Sequence, residues 1–269
     1  MFFNLNLFFT MEIKVLSQSD NKLNLSIEGI DYVTANTLRR LMIAEVPTIA
    51  IEEVEFHKNG SALYDEILAH RLGLIPLKTD LKSYNVKDEC KCKGEGCALC
   101  QVEFSLEANG PCVVYSGELK CKDPAIKPVY ENMPIVKLEK GQKLKLDAVG
   151  VLGRGKKHMK FSPGWFYYQH YPEIKIGNVK NPGEVAKICP TSVFEVDNGK
   201  LKVKHLEKCV LCNACMDKDE NVEVKGKKDK FLFFMESWGQ LDNKEIFLKS
   251  LEIFDKKLDS FEKEVKKSK

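Results

Sequence analysis

Between Thr34 and Pro47 apolar residues recur at three- and four-residue steps, at Ala35, Leu38, Leu41, Met42 and Val46, with Asn36, Arg39, Arg40 and Glu45 between them. This periodicity predicts an amphipathic helix. Asp31 or Thr34 can cap its start, and the residue before Pro47 is biased out of the helical region, which closes its end. Upstream, Ile13 to Leu16 and the alternating Leu23, Leu25 and Ile27 flank a polar turn at Ser19 to Asn21, a hairpin pattern. Downstream, Ile49 to Phe56 reads as a strand ending in Lys58-Asn59-Gly60, and Asp65 starts a helix with stop signals at Gly73 and Pro76. Val102 to Leu106, Cys112 to Tyr115, Ile135 to Leu138 and Leu144 to Val151 then read as successive short strands.

In the last third, Val193 to Val196 and Leu201 to Val203 flank Asp197-Asn198-Gly199, a favoured hairpin turn. Val222 to Val224 and Phe231 to Met235 predict another hairpin around Gly226 to Lys230. Asp242 with Glu245 has the form of a capping box at the head of a long helix. On that helix Phe247, Leu251, Phe254, Leu258, Phe261 and Val265 stand 4, 3, 4, 3 and 4 residues apart, the repeat of a helix-helix seam. Such a stripe must be buried, either on the protein's own sheet or against another chain.

The 269 residues allow one large or two to three small domains, and 43% hydrophobic residues suffice for real cores. Forty-two basic against 39 acidic residues leave a net charge of +3, too small a surplus to mark a dedicated nucleic-acid binder. The first ten residues, MFFNLNLFFT, are apolar but lack a basic region and a small-residue cleavage site, and they are too short to span a bilayer. They read as an N-terminal extension, with the regular pattern opening at Met11. No membrane association is expected. Ten cysteines without a secretory signal point to metal sites in a reducing compartment, the cytoplasm.

Eight of those cysteines fall into two sets. Cys209, Cys212 and Cys215 form C-x2-C-x2-C, and Cys189 precedes Pro190. In the ferredoxin run C-x2-C-x2-C-x3-C-P the last cysteine serves the other cluster, so Cys189 would complete the cluster held by the triplet. Ligands for a second cluster are missing: the corresponding positions are Val179, Pro182, Val185 and Asp219. One [4Fe-4S] cluster is the expectation, with [3Fe-4S] arising by loss of an iron. Zinc on the same four thiolates is the alternative.

Cys90, Cys92, Cys97 and Cys100 follow C-x-C-x4-C-x2-C in a polar, glycine-containing loop, a pattern that fits a closed zinc site with four thiolate ligands. A metal-free loop and an iron site are the other readings. Cys112 lies in an apolar strand as a small hydrophobe, and Cys121 has no neighbouring His or acid at a persuasive spacing. Asp217-Lys218-Asp219 is a nominal D-x-D but reads as a solvated turn. No catalytic residues are assigned. The loop Gly153 to Pro163, with Arg154, Lys156, Lys157, His158 and Lys160, is either a contact for a partner or nucleic acid or a solvated basic loop.

TANTLRRLMIAEVPTIAIEEVEF followed by SALYDEILAHRLGLIPL resembles the assembly motif of the alpha-type subunits of multisubunit RNA polymerases. The likeness is to the larger archaeal alpha-like subunit, counterpart of the third-largest subunit of eukaryotic RNA polymerase II and of bacterial alpha. FLFFMESWGQLDNKEIFLKSLEIF resembles the family's C-terminal segment, and the likeness runs over nearly the whole chain from Met11. The four-cysteine loop resembles the zinc loop of the eukaryotic counterpart with one extra residue in its middle gap.

The resemblance implies an α+β fold. A discontinuous alpha-type dimerisation domain, residues 11–50 and 222–269, would carry two insertions: a mainly β domain with the four-cysteine loop (51–176) and a ferredoxin-like iron-sulfur domain (177–221). It also implies a non-catalytic assembly subunit of archaeal DNA-directed RNA polymerase, part of a nucleotidyltransferase complex. The partner interface would include Leu38, Arg39, Arg40, Leu41, Met42, Phe247, Leu251, Phe254, Leu258 and Phe261. The implied partners are the small alpha-like subunit, the second-largest subunit and small zinc-bearing subunits, with DNA reached only through the holoenzyme. A single-cluster ferredoxin-like electron-transfer protein is the alternative. It leaves more than 200 residues unexplained, and the chain carries no flavin or nicotinamide motif.

Overall fold

The computed structural model describes residues 11–268, so the extension assigned to residues 1–10 lies outside the described residues. The chain opens with β1 (Glu12–Gln18), β2 (Lys22–Glu28), α1 (Tyr32–Ala44), β3 (Pro47–Asn59) and α2 (Asp65–Gly73). A strand series follows: β4 (Gln101–Asn109), β5 (Cys112–Tyr115), β6 (Lys120–Cys121), β7 (Pro134–Leu138), β8 (Lys143–Arg154) and β9 (Gly164–Ile176). The last third holds α3 (Pro182–Ile188), β10 (Phe194–Asp197), β11 (Lys200–Val203), α4 (Ala214–Lys218), β12 (Val222–Ser237) and α5 (Asn243–Lys267). Of the two candidates for the α1 cap, Asp31 serves: its Oδ1 accepts the Thr34 N–H at 2.8 Å.

The chain divides into two compact units. One is built from the described residues up to Gln18, Leu23–Thr37 and Tyr167–Phe234; the other from Ser19–Lys22, Leu38–Phe166 and Met235–Lys269. The first carries a four-stranded sheet in the order β1-β2-β12-β9. β1 is its edge, exposed at all seven residues and offset by a bulge between Val15 and Ser17. Aromatic side chains tie β9 to β12: Tyr167 stacks on Phe234 at 4.7 Å between ring centres, and Tyr168 meets Phe231 and Phe233. A separate small core gathers Val185, Val193, Phe194, Leu201, Val222 and Val224 between α3, the β10-β11 hairpin and the start of β12.

The expected hairpin around Gly226 to Lys230 is corrected by the structure. Residues 222–237 form one unbroken sixteen-residue strand. Its polar middle stays extended because it has partners: Asp229 C=O accepts the Gly29 N–H at 2.8 Å and Lys230 pairs with Glu28 at 2.7 Å. Gly226 is there for closeness rather than for turning, since a Cβ at this position would lie 2.7 Å from His170 Cβ on β9.

In the second unit β3, β8, β4 and β6 form a sheet in that order, with β5 and β7 paired beside it. β4 shows the period-two alternation of a half-buried strand: Val102, Phe104, Leu106 and Ala108 are buried and the residues between them are not. They meet Leu144, Leu146 and Ala148 of β8, and Leu68 and Leu72 of α2, in one extended core. At the head of α5, Asp242 occupies the N-cap position without a side-chain cap bond, so the expected capping box with Glu245 does not form. The helix is anchored by burial instead, through Ile246, Phe247 and Ser250 in its first two turns.

Candidate metal centre and partner surface

Cys90, Cys92, Cys97 and Cys100 converge. A single 3-10 turn, Lys87–Glu89, leads into Cys90. Lys93, Gly94 and Gly96 at positive φ then reverse the chain. A Cβ on Gly96 would also fall 2.4 Å from Gln101 Oε1 and push that side chain aside. The sulfurs lie 3.6 Å apart for Cys90 and Cys97, 3.6 Å for Cys92 and Cys100, and 3.8 Å for Cys97 and Cys100, all four within 4.8 Å of one another. Four thiolates about 2.3 Å from one ion at tetrahedral angles stand about 3.8 Å apart, so the set fits a single tetrahedral ion.

The thiols are electrostatically distinct. Backbone N–H donation from Gly96 leads the effects that draw Cys92 down to about 6, whereas burial pushes Cys100 up to about 12. One thiol is poised to be a thiolate at neutral pH and another is protonated unless a cation is present. That combination suits a site completed by metal.

The other set comes from several elements. Cys189 closes α3, Cys209 follows the 3-10 turn Leu206–Lys208, and Cys215 sits in α4. Cys209 and Cys215 belong to the small core of the first unit and Cys189 packs against it, while Cys212 is exposed. Burial raises the thiols of Cys209 and Cys215 above the ordinary cysteine range. Leu211 and Asn213 take left-handed backbone conformations between the cysteines, and Gln169 Nε2 on β9 donates to Cys209 C=O at 3.1 Å. Among the described residues, the four-cysteine loop is the group of three or more thiols that all lie within 4.8 Å of one another, and Cys189, Cys209, Cys212 and Cys215 do not form such a group.

The remaining positions singled out in the sequence separate by burial. Leu38, Leu41, Met42 and Phe247 are buried; Arg39, Leu251 and Phe254 are half-buried; Arg40 is exposed. Farther along α5, Leu258 is 51% exposed, Phe261 67% and Val265 42%. The basic loop after β8 is largely neutralised from within. Lys157 and Lys160 both pair with Glu52, at 2.7 and 2.5 Å, and Arg154 pairs with Glu89 and lies 4.0 Å from Glu45. These carboxylates are the site residues that sequence reasoning missed. Only the alternation of β3, in which Glu52 is half-buried in step with Val54 and Phe56, hinted at one of them.

Comparison with known proteins gives these features a context. Residues 49–165 match the family model described as the RNA polymerase Rpb3/RpoA insert domain. Among its relatives, the DNA-directed RNA polymerase subunit Rpo3 of Methanosphaera stadtmanae is 39% identical over 86% of this chain and 90% of that protein. The Archaeoglobus fulgidus Rpo3 is 38% identical over 90% and 92%, and the Methanosarcina mazei Rpo3 41% over 88% and 91%. The chain belongs to the Rpo3 family of DNA-directed RNA polymerase subunits. Among the described residues no helix is long and apolar enough to cross a membrane.

Proposed function

We propose that the chain is the non-catalytic assembly subunit of an archaeal DNA-directed RNA polymerase, pairing with the small alpha-like subunit to form the platform on which the second-largest and other subunits assemble. The observation that carries this reading is the match to Rpo3 chains along nearly nine-tenths of the sequence. An electron-transfer protein organised on one cluster does not account for that match, nor for the insert domain at residues 49–165.

In this reading α1 and α5 supply the pairing surface, with Leu258, Phe261 and Val265 as its exposed apolar part. Support comes from the seam spacing on α5 and from the absence of any buried residue beyond Phe254 on that helix among the described residues. Cys90, Cys92, Cys97 and Cys100 would hold Zn2+ as a staple for a loop with little core of its own. Cys189, Cys209, Cys212 and Cys215 would hold one [4Fe-4S] cluster, whose thiolates bind different irons and need a wider spacing than a single ion allows. DNA would be reached only through the holoenzyme.

The test is co-expression with the small alpha-like subunit and anaerobic purification, with size exclusion, iron and zinc assayed on one sample. A stable 1:1 complex carrying about four irons and one zinc per chain is expected. A well-behaved monomer with a reversible redox couple and no affinity for the small alpha-like chain would overturn the assignment.

A further inference from the structure

The segment that leads into the four-cysteine loop forms a wall of a groove within the second unit. Leu81, Tyr84 and Val86, on the segment leading into the loop, face Ile253 and Phe261 of α5 across a cleft of about 650 Å3 that Arg154 also lines. The wall is tied to the cysteines at two places. Asn85 N–H donates to Leu99 C=O at 2.8 Å, one residue before Cys100, and Cys90 N–H donates to Lys87 C=O at 3.3 Å.

From this wall a line of alternating charges leads to the helix. Glu89 pairs with Arg154, Arg154 Nε lies 4.0 Å from Glu45 Oε2, and Glu45 Oε1 lies 3.1 Å from Lys257 Nζ. Beyond Phe254 no side chain of α5 is buried among the described residues, and Lys257 is the one there with an ion pair to another element. A stretch of that length is marginal as an isolated helix in water, so its order depends on what holds it at the groove.

We infer that the four-cysteine loop is a metal-dependent latch for the far half of α5. With an ion bound, the loop fixes residues 87–89, and Glu89 holds Arg154, Glu45 and Lys257 in register along the groove. Without the ion, a loop that turns on two left-handed glycines and buries few apolar side chains loses its shape, Glu89 leaves the wall, and the far half of α5 is released. This rests on the reading that these four cysteines hold a metal ion. It adds a regulatory consequence, that loss of metal at one end of the groove disorders the helix at the other.

The experiment is hydrogen exchange followed by mass spectrometry on the full chain, reading peptides that cover residues 254–265, with α2 peptides as internal reference and zinc assayed on the same samples. The variants are Cys92→Ser with Cys97→Ser, Glu89→Gln, and the three changes combined. Exchange in α5 should rise about fivefold on loss of the cysteines and by a similar factor in Glu89→Gln, with no further rise in the combined variant. Should the cysteine variant fail to fold, a zinc chelator applied to the wild-type chain gives the same comparison, with α2 unchanged. Unaltered α5 exchange after zinc has demonstrably left overturns the latch, as does a combined variant in which the two effects multiply. A wild-type chain that carries no metal at these cysteines also overturns it, and the zinc assay shows that the metal reading rather than the charge line has failed.

Discussion

Replacing Leu258 and Phe261 together by Ala separates the stability of the chain from the stability of its complex. Full burial of a Leu or Phe side chain contributes about 1.5–3 kcal/mol. Leu258 is 51% exposed and Phe261 67% exposed, so covering what is left would contribute about 1 kcal/mol at the first position and about 2 kcal/mol at the second. Because 1.4 kcal/mol is a factor of ten, the double substitution should weaken pairing with the small alpha-like subunit about a hundredfold. In the chain alone both side chains have little to lose, and its stability should stay within about 1 kcal/mol. Isothermal titration or surface binding gives the Kd, and thermal melting of the variant alone gives the reference. A change in Kd below about threefold would remove the seam from the pairing surface. A large drop in melting temperature would mean that α5 packs its stripe at home.

Further tests address the rest of the molecule. Cys209→Ser should abolish iron uptake and the visible absorption of the cluster while leaving zinc bound, because the two sets belong to different units. Retention of iron would reassign the ligands. Gly226→Ala should destabilise the chain by about 1–3 kcal/mol in thermal or denaturant melts, since the added methyl has only 2.7 Å to His170 Cβ; Gly183→Ala on α3, with open space around it, should be neutral or stabilising. Glu52 has burial raising its carboxyl pKa, but Lys157 and Lys160 outweigh that and hold it below the usual range. A carboxyl depressed in the folded state stabilises above its unfolded pKa, and that contribution is lost as pH falls through the folded value. The stability gap between wild type and Glu52→Gln, about 1 kcal/mol at neutral pH, should therefore close below about pH 4. A gap that widens in acid would reverse the sign.

How far these features can be read from sequence depends on the range of the interactions behind them. α1, α2 and the β10-β11 hairpin were legible because periodicity and turn residues act locally, and Asp197-Asn198-Gly199 does turn at Asn198 and Gly199 with positive φ. The convergence of Cys90, Cys92, Cys97 and Cys100 was legible for the same reason: the four lie within eleven residues of one another. β9 was not. Pro172 interrupts its run and would ordinarily demote a strand, and the pairing and aromatic contacts with β12 that hold it in the sheet lie far away in sequence. β12 was broken in two by its polar middle, whose partners Gly29 and Glu28 lie some 200 residues away. The pairing of Arg154 with Glu45 and Glu89 is equally remote from any local pattern, and the capping box failed because α5 is seated by Ile246 and Phe247 instead.

The carboxylates under the basic loop also bear on how this protein meets nucleic acid. A cation that neutralises a phosphate normally releases counterions condensed on the nucleic acid, and that release makes the affinity fall steeply with added salt. Lys157, Lys160 and Arg154 already have protein counterions that cannot diffuse away. Any phosphate approaching them must first compete with Glu52, Glu45 and Glu89, so fewer phosphates are neutralised and fewer of the nucleic acid's own counterions are released. The loop is thus built as a charge-compensated surface, and adding this chain to a polymerase should leave the salt slope of DNA binding where the other subunits set it.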